Sequence, residues 1–197
     1  MSRKLQLSVP VTGLLREKGS KFLAYLYPIG QVEDVAQILE QLHQEHPTAR
    51  HWCYAYRLGE DGSLYRFNDD GEPAGSAGRP ILNALDSARL TNTLAVVVRY
   101  FGGTLLGVRG LIDAYGGAVE DALQNAQPMP VIRWRSLRVS CKYIHMSDLQ
   151  KVMNELHLKP HETTYEEDGM RFEFLADEAV VEPLKVRLTS LFGVNVL

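Results

Sequence analysis

Cysteine is nearly absent from this chain: two thiols, Cys53 and Cys141, stand among 197 residues. Cysteine-based metal sites use closely spaced pairs, and small secreted scaffolds carry many more thiols, so neither class fits. Two buried, reduced thiols in a cytoplasmic compartment are expected instead. No apolar run approaches the roughly 18–20 residues that cross a bilayer. The first residues are polar, with Arg3 and Lys4 and no apolar stretch of the kind a signal peptide needs. No membrane partner is therefore expected. Strong charge of one sign is missing too. A net charge of −3 excludes a protein held to nucleic acid by bulk positive field, so any such contact must be local and shape-driven. Repeats and low-complexity tracts are also lacking. So are the Gly-x-Ser-x-Gly elbow and the His-Glu-x-x-His helix, two patterns that would announce a hydrolase. No catalytic residue, metal or cofactor is expected.

What is present is ordinary globular material, 45% hydrophobic and 23% charged, enough for one sizeable core or two modest ones. Pro128 and Pro130, following a helical pattern that ends near Ala126, read as a stiff break. The expected layout is a first domain over 1–128, a linker over 129–134 and a second domain over 135–197.

In the first domain, alternation predicts strands over 6–15 and 22–29. Val35, Ile38, Leu39 and Leu42 share one stripe of a helix over 32–45. A hairpin is expected from 51–58 and 64–67 across a turn at Gly62. A helix over 80–89 would start on Pro80. The apolar run within 94–101 fits a strand buried on both faces, and a long helix is expected over 111–126. The second domain reads βαββαβ, the ferredoxin-like order. Its strands are expected over 136–143, 159–166, 170–175 and 194–197, with helices over 147–158 and 179–192. Ser147 is the expected N-cap. The fold class is thus α+β.

Three segments could carry chemistry. Asp69, Asp70 and Glu72 precede a small-residue loop, Gly75-Ser76-Ala77-Gly78, and Arg79 at a helix start. Glycine permits close approach of backbone to a partner. Free N–H groups at a helix start make an anion site, which Arg79 would reinforce. The second segment, from Arg99 to Gly110, places Gly102, Gly103 and Arg109 between a buried strand and a helix. It lacks the Gly-Lys-Ser/Thr ending of a phosphate loop. Arg99 at the strand end could reach a cleft, and Tyr100 and Phe101 could stack on a base or serve as core. The third segment, His51 to Arg57, places His51 and Cys53 on one strand face with Ala55 and Arg57. With Asp69, Asp70 and Glu72 these would form a mixed zinc-type set only if they met in space. Otherwise they are a structural histidine and a buried thiol.

Taken together, these runs resemble the IMPACT/YigZ family. The matching stretches are Lys18-Gly-Ser-Lys-Phe22, His51-x-Cys53 with Tyr54-Ala-Tyr-Arg57, and Asp69-Asp-Gly-Glu-Pro73 leading to Gly75-Ser-Ala-Gly78 and Pro80-Ile-Leu82. They continue with Val96-Val-Val-Arg-Tyr-Phe-Gly-Gly103, Leu105-Leu-Gly107 and Ala114-Tyr115. The chain departs at Arg109 and Asp113, four residues apart and able to pair, and has Ser76 where the family usually has threonine. The resemblance implies a first domain like domain 2 of ribosomal protein S5 and a second like the last domain of elongation factor G. It further implies a role in regulating translation, with RNA or the ribosome as partner and no established enzyme activity. On this expectation Arg79, Arg99 and Arg109, with the glycine backbone, meet RNA phosphates, while Asp69, Asp70 and Glu72 are structural. The alternatives are a module that docks a protein partner without RNA, and a small metal-dependent hydrolase using His51, Asp69, Asp70 and Glu72.

Overall fold

The computed structural model describes residues 3–197. Contacts divide the chain between Val131 and Ile132. The first unit contains β1 (Leu5–Gln6), β2 (Val11–Glu17), β3 (Ser20–Pro28), α1 (Glu33–Glu45), β4 (His51–Leu58) and β5 (Leu64–Asn68). It continues with α2 (Gly78–Ser87), β6 (Thr93–Tyr100), α3 (Gly107–Gln124) and β7 (Met129–Pro130). Five strands form one antiparallel sheet in the order β2-β3-β6-β4-β5.

Strand β6 lies at the centre, and its residues from Thr93 to Arg99 are all buried. The reason is coverage from both sides. Leu94, Val96 and Val98 join Val35 and Leu42 of α1 in one core cluster. Ala95 and Val97 pack on the other face with Ile81 and Leu85 of α2 and Ala118 and Val119 of α3. The period of two along β4 does the same sorting. Cys53 and Ala55 belong to the α2/α3 side, and Trp52, Tyr54 and Tyr56 to the α1 side.

Some boundaries differ from the sequence pattern. The strand expected over 6–15 is interrupted, because Pro10 carries no N–H for a ladder, and splits into β1 and β2. Met129 and Pro130, expected in a linker, form β7 and pair with Gln6 and Leu5. Such a two-stranded edge tolerates a proline. Pro80 occupies the third position of α2 rather than the first, still within the turn whose N–H groups need no helical partner.

The second unit contains β8 (Trp134–Lys142), α4 (Met146–Glu155), β9 (Glu162–Tyr165), β10 (Gly169–Asp177), α5 (Glu178–Thr189) and β11 (Val194–Val196). Its sheet runs β11-β8-β10-β9, all antiparallel. Leu137, Val139, Phe172 and Phe174 face the helices and pack on Leu149 and Leu188. Arg138, Glu162, Thr164, Arg171 and Glu173 line a shallow hollow in the same sheet, with Arg138 paired to Glu173 and Arg171 to Glu166. Ser147 does not cap α4. A 3-10 turn over Tyr143–His145 runs into the helix, so His145 takes the cap position without a side-chain bond. The side-chain cap lies instead on α5, where Asp177 accepts from the Ala179 N–H.

Candidate nucleic-acid interface

The segment between β5 and α2 folds around its own carboxylates. One Asp69 oxygen accepts the N–H groups of Ala77 and Gly78 at 3.0 and 2.8 Å. The other accepts the Gly75 N–H at 2.9 Å. The Ser76 N–H goes to the Pro73 carbonyl, and its hydroxyl donates there as well. An internal anion therefore occupies the start of α2, which corrects the expectation that Gly75, Ser76 and Gly78 offer their N–H groups to a ligand. The close approach that Gly78 permits is likewise internal: a Cβ would stand 2.8 Å from the Asn68 backbone. Arg79 remains exposed, with its guanidinium 4.6 Å from the centroid of the Phe67 ring.

His51, Cys53, Asp70, Glu72 and Arg99 do meet. Arg99 Nη1 donates to Glu72 Oε1 at 2.5 Å, with the two side chains 6% and 5% exposed. Tyr115 of α3 donates to the same oxygen at 2.8 Å. The Cys53 thiol lies 3.0 Å from the Asp69 carbonyl oxygen and 3.3 Å from the Tyr115 hydroxyl. Burial pushes both the Cys53 thiol and the Tyr115 hydroxyl well above their ordinary values, so both stay protonated. His51 Nδ1 donates to the Asp70 carbonyl at 2.8 Å, and its Nε2 stands 4.0 Å from Glu72. One Asp70 carboxylate oxygen accepts the Trp52 N–H. This network ties β4, β6, α3 and the loop together, leaving the buried Arg99 Nε without a hydrogen-bond partner. A protonated thiol is no nucleophile. Among the described residues no group of three or more His, Cys, Asp or Glu is arranged to hold a metal ion.

The same network withdraws Arg99 from any phosphate, because its charge is matched in the interior. Gly102 sits against the turn between β2 and β3. A Cβ there would overlap the Gly19 backbone, and its N–H donates to the Ser20 hydroxyl. Arg109 is exposed and bonds Asp113, its neighbour four residues on, at 3.2 Å. It lies in the first turn of α3, which has neither a side-chain cap nor an acidic residue.

The other face of the sheet is only partly covered. A helix is about 10 Å wide and strands lie about 4.8 Å apart, so α1 alone spans two or three of the five strands. What stays open is a groove of about 520 Å³ over β2, β3 and the end of β6. Leu14 and Leu23 line its apolar part, Tyr100 and Phe101 supply rings, and Arg16, Lys21 and His46 supply polar groups. The register places Arg16 directly opposite Lys21, and Lys21 directly opposite Tyr100. His46 is held between two tyrosines, with Nε2 2.7 Å from the Tyr25 hydroxyl and Nδ1 2.9 Å from that of Tyr100. Burial, followed by the charge of Glu45, raises the Tyr25 hydroxyl, which therefore stays protonated. Of the groove residues, the sequence pattern singled out Tyr100 and Phe101 as aromatics. Arg16, Leu14 and His46 were missed. The available signal was one basic residue, Arg16 or Lys21, two positions from a leucine, Leu14 or Leu23, on either side of the β2–β3 turn.

The matched family model is the Impact N-terminal domain, over residues 18–123. A Thermus thermophilus protein described as an IMPACT family member in the pol 5′ region is 40% identical over 78% of this chain and 82% of its own. The Escherichia coli IMPACT family member YigZ is 37% identical, over 75% of this chain and 74% of its own. A solved structure described as a hypothetical protein matches 100% of this chain and 97% of its own, at TM-score 0.70 and 32% identity.

Proposed function

The chain belongs to the IMPACT family, and from that premise we propose that it is an RNA- or ribosome-associated protein acting in the regulation of translation. One observation carries this reading: the groove joins rings to cations on an otherwise acidic chain. Unstacked bases lie on aromatic side chains while cations hold the phosphates, and the groove lining contains no carboxylate to oppose them. Arg79 and Arg109 are exposed as well, but they stand on α2 and α3, on the other face of the sheet, and Arg109 is paired with Asp113; the phosphate contact expected of Arg99 passes to Arg16 and Lys21.

The test is purification of the intact protein at low salt, with and without nuclease, followed by measurement of co-eluting RNA. RNA should accompany the native chain and be lost from the double variant Arg16→Glu, Lys21→Glu with its circular dichroism unchanged. A chain that carries no RNA under these conditions would overturn the reading. Exposed Leu105 and Val108, at 84% and 54%, favour a second reading in which this loop docks a protein. A stoichiometric partner that survives nuclease and is lost on Leu105→Ser would support it.

A further inference from the structure

Arg16 and Lys21 are an anomaly as a structural pair. They face each other across β2 and β3, and like charges directly opposite on neighbouring strands are destabilising. Arg57, Arg138 and Arg171 all bond carboxylates, but among the described residues neither Arg16 nor Lys21 has such a partner. The sheet row continues to Tyr100, opposite Lys21; Phe101 follows at the strand end, 43% exposed, with the Arg99 guanidinium 5.5 Å from its ring centroid. The row below it is apolar, with Leu14 opposite Leu23. An anion over the first two positions would remove the repulsion, and a flat apolar group over the next two would cover the rings.

We infer that this groove is a binding site for single-stranded RNA, with backbone phosphates on Arg16 and Lys21 and an unstacked base on Tyr100 and Phe101, and that it discriminates against duplex. The inference rests on the RNA reading above and narrows it. A duplex offers phosphates, but its bases are paired and stacked and cannot reach rings set beside Leu14 and Leu23 in a groove floor. A single strand can splay a base outward. The open sheet face of the second unit fits this ligand less well. Its hollow is lined by Arg138, Arg171, Glu162, Glu173 and Thr164, with no ring, and Arg138 and Arg171 are already paired. His46, fixed between Tyr25 and Tyr100, holds the Tyr100 ring in place rather than reading sequence, so tolerance of base identity follows.

The experiment is fluorescence anisotropy on the full chain. The probes are a labelled, unstructured RNA of about a dozen nucleotides, within the range such sites cover, and the same RNA annealed to its complement. The single strand should bind at least about ten-fold more tightly. Two phosphate contacts give a slope of log affinity against log salt of about −1.4. Phe101→Ala should weaken single-strand binding by roughly five- to 140-fold, the range for loss of one stacked base. Leu14→Glu alters an exposed side chain, so it leaves the fold intact while placing a carboxylate in the groove. It should abolish binding, and Arg171→Ala should leave it unchanged. Equal or tighter duplex binding, or a slope several times steeper, would overturn the single-strand inference and leave the RNA reading standing. Loss on Arg171→Ala with none on Leu14→Glu would overturn the placement in the groove. Binding of neither probe would remove the RNA reading itself.

Discussion

Glu72 joins more of the molecule than any other single side chain in the network. It accepts from Arg99 on β6 and Tyr115 on α3, and His51 of β4 stands near it. Removing one partner of a buried ion pair leaves the other uncompensated and costs about 3–5 kcal/mol. Glu72→Gln should therefore lower the unfolding free energy from urea denaturation by an amount in that range, and adding Arg99→Met should recover part of the loss; a double variant no better than the single one would refute the pairing argument. Cys53 and Tyr115 give a pH signature. Their ordinary values are 9.0 and 10.0, and burial raises both in the folded state. The two groups penalise folding nowhere below pH 9, where both states keep the protons. Above it the unfolded chain ionises first and binds fewer protons, so stability falls as pH rises. Urea midpoints measured from pH 7 to 11 should decline from about pH 9, and Cys53→Ala should flatten the first part of that decline. At this scale the sequence made His51 and Cys53 visible as residues sharing a strand face and offered Asp69, Asp70 and Glu72 as their neighbours, but not Tyr115, which arrives from a distant helix.

Helix α2 depends on an anion that the chain supplies. Asp69 lies eight and nine residues before the N–H groups it accepts from Ala77 and Gly78, further than the side chain of an ordinary N-cap. Asp69→Ala would leave buried donors unsatisfied, which costs about 1–3 kcal/mol for such a group. Chemical denaturation should show a loss of at least about 2 kcal/mol by the same reasoning, whereas Asp113→Ala, on an exposed pair, should have no measurable effect. Helix α1 and strands β4 and β6 were legible because their periodicity is set by the cores they face. The N-cap expected at Ser147 was not, because capping depends on where the preceding chain enters, and a 3-10 turn there shifts the entry. The anion site expected at Gly75–Gly78 failed for a similar reason: free N–H groups at a helix start invite the nearest carboxylate, and the loop carries one.

At the scale of the whole chain, each unit has a core of its own: two clusters on the faces of the first sheet and one in the second unit. A chain ended after Val131 should fold cooperatively. One ended after Gln127 loses β7 and the bond from the Val131 N–H to the Lys4 carbonyl, and should unfold at lower urea by circular dichroism. An unfolded 1–131 chain would show that the first unit needs the second. The prolines mark a break in the sequence, but the role of Met129–Pro130 could not be read there, since an edge strand is defined by its partner at the opposite end of the unit. The sequence by itself determined most of the secondary elements, the βαββαβ order of the second unit and the family, because these are written in local periodicity and contiguous motifs. Only the tertiary structure decided which charges are free. Arg99 lies in a glycine-rich segment and Arg16 at the end of a strand to which no chemistry was assigned, yet the first is neutralised inside the core and the second lies open beside Lys21. Availability depends on which neighbours a folded sheet brings within reach and on how much of its face one helix can cover.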